Sequence, residues 1–444
     1  MKVLLVSTNT LPASPSGPAY VAGAVRAAGH VVDVFENLLS IDLDKDLSAK
    51  FAEFNPDVVG VSIRLVFGDV LDSNSPWGTK FLDLRPKVKT IVDVIKVNSN
   101  AFIVLGGPGF SYYEKNWLDY LDLNYGICGE GEESFPMLLE LLSDGKDINS
   151  IPGCVFRENG SFNKVEPKRI ENLNTTALPA YDLFDMKKYA EYKITPAIFT
   201  KRGCAFSCSF CPYSKLEGKK YRLKTPERVL DEIRVTLGLI ERNRIMFCDN
   251  SFNVPKHHAE ELCRTFIDAK VDFHWGSGDI KPIGITGDFC KLMEDSGCFY
   301  VNLAIESASE AMLAKMKRGY KVHQVRESLE VLSRSKIPFG ISLMFGAPGE
   351  SPETIAETLK VVADYDIPDG AWVTMGVYLW TEYQDIVAEM KKKKQFQNND
   401  LFSGVVYISP DLSKNYLEEL VTDLRAKPGY SVQCNNPISW EWNN

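Results

Sequence analysis

Short apolar runs alternate with amphipathic stretches through most of the chain, and few folds can satisfy that rhythm. Lys2–Ser7 is an apolar run. Tyr20–Ala28 has helical spacing and stops at Gly29. Val31–Phe35, Asp57–Ile63 and Ala101–Leu105 are further runs, each closing on small or polar residues. A βαβα order of this kind predicts a doubly wound parallel sheet wrapped by helices. Such sheets bind ligands at the carboxyl ends of their strands. Here those ends are Ser7–Pro18, Ser62–Arg64, Gly106–Ser111 and Gly129–Glu133.

The rhythm breaks between about residues 146 and 193. Asn159-Gly160 predicts a hairpin turn between Val155-Phe156 and Phe162, and Asn172–Pro179 is polar and turn-rich. The expectation is a linker over 146–193. Alternation then resumes with Ala197–Thr200, Arg244–Phe247, Phe273–Trp275, Tyr300–Ile305, Phe339–Phe345 and Ala371–Tyr378. Six β/α units predict an incomplete barrel, (β/α)6, over 194–380. The expected organisation is a first α/β domain over 1–145, the linker, the partial barrel and a small C-terminal region over 381–444.

Bulk properties narrow the partners. The formal net charge is −9, against any broad electrostatic grip on nucleic acid or an anionic membrane. The Lys391–Lys394 run is a local exception and reads as a solvated helix end or loop. No apolar run reaches the ~18 residues that a membrane span needs. The apolar start Met1–Ser7 is too short for a signal peptide and reads as a buried first strand. Ten cysteines in such a chain fit the reducing cytoplasm, where spaced cysteines mean metal or catalysis.

Cys204, Cys208 and Cys211 have that spacing, C-x3-C-x2-C, directly after the Ala197–Thr200 run. Thiolates suit iron–sulfur clusters and zinc. A structural zinc wants four protein ligands, and no second C-x2-C or nearby histidine supplies the fourth. A cluster held by three cysteines leaves one iron open. Cys248, Cys263, Cys290 and Cys298 show no ligand spacing and read as core residues.

The motif Gly203-Cys204-Ala-Phe-Ser-Cys208-Ser-Phe-Cys211 closely resembles that of the radical SAM superfamily. The resemblance implies a 4Fe-4S cluster whose open iron is chelated by S-adenosyl-L-methionine (SAM). It also implies reductive cleavage of SAM to a 5′-deoxyadenosyl radical. Further features fit in order. Phe210 stands where family members place an aromatic near the adenine. Asp249 ends the Arg244–Phe247 run. Glu306-Ser307 resembles the family's strand-end Glu-Ser near ribose and methionine. Gly346-Ala-Pro348-Gly349-Glu350 resembles the turn that packs by the adenine. Read without the resemblance, Glu306 is a helix cap and the glycines make a turn.

The first domain resembles the Rossmann-like cobalamin-binding domain fused to many radical SAM proteins. The resemblance rests on Ser7-Thr-Asn9, Gly17-Pro18, Ser62-Ile-Arg64, Leu105-Gly106-Gly107-Pro108 and Gly129-Glu130-Gly131. It departs from the pattern in one respect. The Asp-x-His-x-x-Gly that supplies a cobalt ligand in many such domains is missing, and His30 is the sole histidine before His257. His30 reads as a surface residue. Arg64 resembles the arginine under cobalt in tryptophan C2-methylating members; an exposed strand-end charge is the plain alternative. The domain could equally take another nucleotide-like ligand, or only shape the active site.

The function implied is a cobalamin-dependent radical SAM methyltransferase acting on an unreactive carbon or phosphorus centre of a small molecule or peptide. The alternative is a radical SAM enzyme that cyclises, couples or rearranges its substrate without net methyl transfer. Either one needs an external one-electron reductant, and neither implies nucleic acid or membrane. Trp372, Tyr378, Trp380, Tyr383, Tyr407, Trp440 and Trp442 are candidates for a substrate pocket, though core packing is the commoner use of such residues.

Overall fold

A computed structural model describes residues 1–72, 74–75, 77–379 and 401–435. Trp380, Tyr383, Lys391–Lys394 and Trp440–Trp442 lie outside the described residues. The chain forms two compact units. The first holds Met1–Val66, Asp83–Ile198 and Arg228–Asn243; the second holds Phe67–Leu82, Phe199–Glu227 and Arg244–Asn444.

The strands in chain order begin with β1 (Lys2–Ser7), β2 (Val31–Glu36), β3 (Val58–Ser62), β4 (Phe67–Leu71), β5 (Thr79–Asp83), β6 (Phe102–Gly106) and β7 (Tyr125–Ile127). β8 (Cys154–Glu158) and β9 (Ser161–Lys164) follow. The first unit's sheet has the order β2-β1-β3-β6-β7-β8-β9. It is parallel through β7, and β8 and β9 are added antiparallel. β1 is buried along nearly its whole length, as a continuous apolar run in a parallel sheet should be. The order reverses between β1 and β3, so Ser7 and Ser62 end the two strands that flank the crevice.

The expected linker is built into this unit. Asn159 and Gly160 adopt the positive φ of a tight hairpin turn between β8 and β9. Ile151, Cys154, Ala180, Tyr181, Phe184, Met186 and Tyr189 pack into the same core as Val3, Val25 and Leu138. Their spacing is irregular, so no helical or strand period announces them. They are buried because they are apolar and close to an unfinished sheet edge.

The strands continue with β10 (Ala197–Ile198), β11 (Lys201–Arg202), β12 (Arg222–Leu223), β13 (Arg244–Phe247), β14 (His274–Ile280), β15 (Cys298–Glu306) and β16 (Phe339–Phe345). Last come β17 (Ala371–Met375), β18 (Val377–Tyr378), β19 (Val406–Tyr407) and β20 (Tyr430–Cys434). In the second unit β13, β14, β15, β16, β17 and β20 pair successively, all parallel. β20 ends the sheet order and pairs only with β17 among the described residues, so the sheet stays open, as a partial barrel does. Helices such as Lys256–Ala269, Val322–Ser333 and Pro352–Ala363 connect the strands.

Two features of this unit lay beyond the sequence reading. The run Ala371–Tyr378 is broken at Gly376, whose φ is +86°. The β4–β5 ribbon, drawn from the first 145 residues, belongs here. Thr79 Oγ1 donates to the Cys434 carbonyl at 2.9 Å, the Tyr378 hydroxyl donates to Asp69, and the Phe67 and Tyr378 rings lie 4.7 Å apart.

In the first unit β7 carries a glycine for steric reasons. A Cβ on Gly126 would lie 2.2 Å from the ring of Phe110, which is fully buried. Gly126→Val should therefore lower stability by about 1–3 kcal/mol, read from chemical denaturation. Adding Phe110→Leu to the same chain should recover part of the loss.

Candidate cluster and cofactor sites

The cluster loop begins and ends in a two-stranded clasp. β11 and β12 pair antiparallel, with Lys201 opposite Leu223 and Arg202 opposite Arg222. Ahead of the loop, Asp249 at the end of β13 accepts from the Thr200 N–H at 2.8 Å, the Thr200 hydroxyl at 2.5 Å and Lys201 Nζ at 3.1 Å. Lys201 Nζ also donates to the Phe252 carbonyl at 3.0 Å. Both charged side chains are essentially excluded from solvent. Asp249 was expected to meet SAM. Its carboxylate is instead occupied in fixing the strand end from which the loop departs.

Glu217 closes the loop from the other side. Its Oε2 accepts from the Gly203 N–H at 2.9 Å and from Asn250 Nδ2 at 2.7 Å. The Cys204 N–H donates to the Gly218 carbonyl at 2.9 Å, and the Cys211 N–H to the Cys208 carbonyl at 3.2 Å. Gly203 has φ +92°, and a Cβ there would strike the Lys220 carbonyl at 2.1 Å, so only glycine fits.

The three thiols sit within each other's electrostatic reach. Burial raises the pKa of Cys204 and pushes Cys211 up to about 12, and charge on Cys208 raises both further. Lys281 acts in the opposite direction on both. Among the described residues no three His, Cys, Asp or Glu side chains converge tightly enough to hold one ion. The three thiolates of an iron–sulfur cube each hold a different iron and so stand apart. The donor set thus fits a three-cysteine cluster.

Arg318 was missed in the sequence and is central to this site. It is 2% exposed. Nη1 donates to Cys208 Sγ at 3.2 Å, Nη2 to the Ala304 carbonyl at 2.6 Å, and Nε to the Tyr320 hydroxyl at 2.7 Å. Its guanidinium lies 5.4 Å from the Phe210 ring centroid. It also stands 3.7 Å from Glu306 Oε1. Nothing in Lys317-Arg318-Gly319 marks the arginine, because the cysteine it bonds, Cys208, lies 110 residues away.

Glu306 ends β15 in a conformation that the chain must force on it. Its φ is +60°, and the β15–β16 register slips between Ala304 and Glu306. Such a residue costs about 1–3 kcal/mol and is held where the side chain has a task. A bulge at a strand end re-aims that side chain. Burial raises the Glu306 pKa, while Arg318 and Lys281 oppose the rise. Ser307 is fully buried and bonds Thr358 Oγ1 at 3.0 Å, so it ties the end of β15 to the helix Pro352–Ala363.

Phe210 packs with Met312, Met316, Ala347 and Val377. Beside them a cavity of about 380 Å³ is lined by Ser209, Lys315, Met316, Ala347, Pro348 and Gly349. Phe210 and Pro348 are thus brought to one place, as expected. Gly346, with φ +95°, makes the turn and accepts from the Ser409 N–H at 2.9 Å. Cys263 and Cys290 are buried and Cys298 partly so. Cys248, expected in the core, is solvent-accessible just past β13, where alternation sets it opposite the buried Phe247.

In the first unit the expected residues gather at the carboxyl edge of the sheet. Ser7 and Ser62 end adjacent strands, and Thr8 bonds the Ser62 carbonyl through both N–H and hydroxyl. The Asn9 carbonyl accepts from Asn37 Nδ2 at 2.9 Å. Gly107 has φ +92°, and a Cβ would lie 2.6 Å from the Ile63 carbonyl. A Cβ on Gly106 would meet nothing nearer than 3.8 Å, leaving open space along that backbone. Arg64 is exposed. The Gly129 N–H donates to Ser111 Oγ, Glu130 Oε2 accepts from the Ile170 N–H, and Gly131 opens the next helix. His30 sits at the opposite edge, with Nδ1 3.3 Å from the chain's amino terminus. Among the described residues this carboxyl edge carries no histidine.

Residues 198–362 match the family model of the radical SAM superfamily, and residues 2–139 match that of the B12 binding domain. The chain thus carries a radical SAM domain and a B12 binding domain. It is 28% identical to an uncharacterized methyltransferase of Pyrococcus horikoshii, over 86% of this chain and 82% of that one. It is 23% identical to an anaerobic magnesium-protoporphyrin IX monomethyl ester cyclase of Rubrivivax gelatinosus, over 89% of this chain and 70% of that one. Its fold is shared with the radical SAM methyltransferase TsrM of Kitasatospora setae, solved with cobalamin and a [4Fe-4S] cluster. The TM-score is 0.78 at 21% identity, covering 93% of this chain and 84% of the other. A radical SAM domain implies a 4Fe-4S cluster and SAM, and a B12 binding domain supports cobalamin.

Glu350 gives this site a pH signature. It is fully buried, Oε1 accepts from Thr354 Oγ1 at 2.7 Å, and Oε2 has no partner among the described residues. Burial lifts its pKa from 4.5 to about 7. The folded state thus keeps a proton that the unfolded chain releases between pH 4.5 and 7, and stability falls as pH rises through that window. Glu350→Gln should leave stability unchanged at pH 4.5 and raise it by about 2–3 kcal/mol at pH 8, measured by chemical denaturation.

Proposed function

We propose that the protein is a cobalamin-dependent methyltransferase that moves a methyl group from SAM to an unreactive carbon or phosphorus centre of a small molecule or peptide. The observation that carries this reading is the pairing, in one chain, of a B12 binding domain with a radical SAM domain, in a fold shared with TsrM. The methyltransferase name of the Pyrococcus relative supports it.

Cys204, Cys208 and Cys211 would hold the cluster, which supplies an electron for cleaving SAM. Arg318 places a fixed cation against Cys208, which favours the more negative, reduced state. Phe210, Gly346 and Pro348 would form the apolar wall for the adenine. Glu306, aimed by its strained backbone, would accept from polar groups of SAM. In the first unit Ser7, Asn9, Ser62, Arg64, Gly106, Gly107, Gly129, Glu130 and Gly131 would frame the cobalamin, which would supply the methyl-carrying chemistry. With His30 at the far edge, these residues include no histidine, and Arg64 and Glu130 are the charged side chains among them.

A second reading has an observation of its own. The Rubrivivax cyclase aligns over 89% of this chain, so ring closure without net methyl transfer fits the same architecture. SAM labelled in its methyl group separates the two readings. Label in the product supports methyl transfer. Product without label, formed together with 5′-deoxyadenosine, supports cyclisation or rearrangement. Cys204→Ala, Cys208→Ala and Cys211→Ala should each abolish SAM cleavage, whereas Cys263→Ala should not.

Glu306→Gln should weaken SAM binding about 10- to 150-fold, the loss of one charged hydrogen bond of about 1.5–3 kcal/mol. Equilibrium binding on the cluster-loaded protein gives that value directly. An unchanged Kd would remove Glu306 from the SAM site.

A further inference from the structure

We propose that the lysines flanking the cluster loop form a docking face for an acidic, one-electron carrier protein. The inference needs the cluster but not methyl transfer, so it stands apart from the substrate reading above.

The loop reaches the surface. Ala205 and Ser207 are exposed, and Cys208 and Cys211 are only partly buried. Two segments clamp it from either side. On one side the Cys204 N–H donates to the Gly218 carbonyl at 2.9 Å. On the other the Ser209 N–H donates to the Met316 carbonyl at 3.0 Å, and a Cβ on Gly319 would touch the Phe206 ring at 3.2 Å. Both clamps are lysine-rich. Lys215, Lys219 and Lys220 are exposed on the first, and Lys315 and Lys317 on the second.

Two nearby acids offset only part of the charge of these five lysines. Glu217 is bound to Gly203 and Asn250, and Glu310 lies 3.9 Å from a further lysine, Lys321. In a chain of net charge −9 the face is a local reversal of sign. Tyr213, two residues past Cys211, is 48% exposed and offers an aromatic contact beside the lysines. Aromatic rings amid cations are common in transient protein interfaces. A charged face of this kind steers an oppositely charged partner and raises its association rate about 10- to 1,000-fold.

The carrier binds where the electron has the shortest route to the cluster. One electron leaves the reduced carrier and enters the cluster. The carrier is oxidised by one electron, and no bond forms or breaks in this step. An acidic flavoprotein and an acidic iron–sulfur protein would meet the same chemistry.

The test uses the cluster-loaded full chain carrying Lys219→Glu, Lys220→Glu and Lys317→Glu. Cluster reduction is followed by stopped-flow absorbance, with reduced flavodoxin, reduced plant-type ferredoxin or reduced methyl viologen as donor. Methyl viologen is a small cation with no need of the face. The variant should lose at least about tenfold in second-order rate with the acidic proteins at low salt, with a flattened salt dependence. It should keep its iron content, and its rate with the cationic methyl viologen should not fall. Arg at the same three positions should restore the rate with the acidic proteins. A loss with only one of the two proteins identifies the carrier class. An unchanged rate with both would overturn the proposal. So would an equal loss with methyl viologen, which would mean that the lysines shape the loop instead.

Discussion

A buried ion pair sets the geometry of the second unit. Lys201 and Asp249 are both shut away from solvent, and neither can be left alone there without a cost of about 3–5 kcal/mol. The pair therefore fixes the distance between the start of the cluster loop and the end of β13. Thr200 and Phe252 add bonds to the same two side chains, so the position is over-determined. Glu217 then repeats the device one step farther out, tying Gly203 to Asn250. The loop that carries three thiols can vary little in position, because both of its ends are anchored to one strand terminus.

Strand ends carry the chemistry in both units, for a common reason. A parallel strand must break at its carboxyl end, and the break exposes backbone and polar side chains together. In the first unit glycine makes the break, at Gly106-Gly107, where one position is sterically closed to a side chain and the other is open beside the backbone. In the second unit the break at β15 falls on Glu306, where no glycine relieves the strain. The difference fits the use of each edge. A large flat ligand needs backbone that it can approach closely, whereas a small polar one needs a side chain aimed at it.

How far the sequence could be read follows from the range of the interactions. The cysteine spacing, the strand runs and the order of the two domains are local patterns, and the fold follows them. Phe339–Phe345 has the expected bounds, and the Asn159-Gly160 turn lies where its residues demand. Arg318 could not be found this way, since its value lies in Cys208, Phe210, Ala304 and Glu306, brought to it by the cluster loop and the end of β15. The β4–β5 ribbon was equally hidden: Thr79 meets its partner Cys434 only through the closed fold. Asp249 and Ser307 show the converse limit. Polar residues at strand ends look alike in sequence whether they face a ligand or brace the scaffold, and only the count of their internal partners separates the two.

Charge around the cluster loop is arranged in two shells with different work. Lys281 and Arg318 are buried beside the cysteines, where the low dielectric makes each cation strong and the thiolates are the groups it can reach. They lower the cost of keeping negative sulfur inside the protein. Lys219, Lys220 and Lys317 are in water, where screening confines their effect to about 8–10 Å, the range at which an approaching partner is met. A chain of net charge −9 holds both shells around one loop. The inner cations favour the cluster's reduced state and the outer ones favour its encounter with a donor, so charge of one sign serves both the potential and the rate of the same electron.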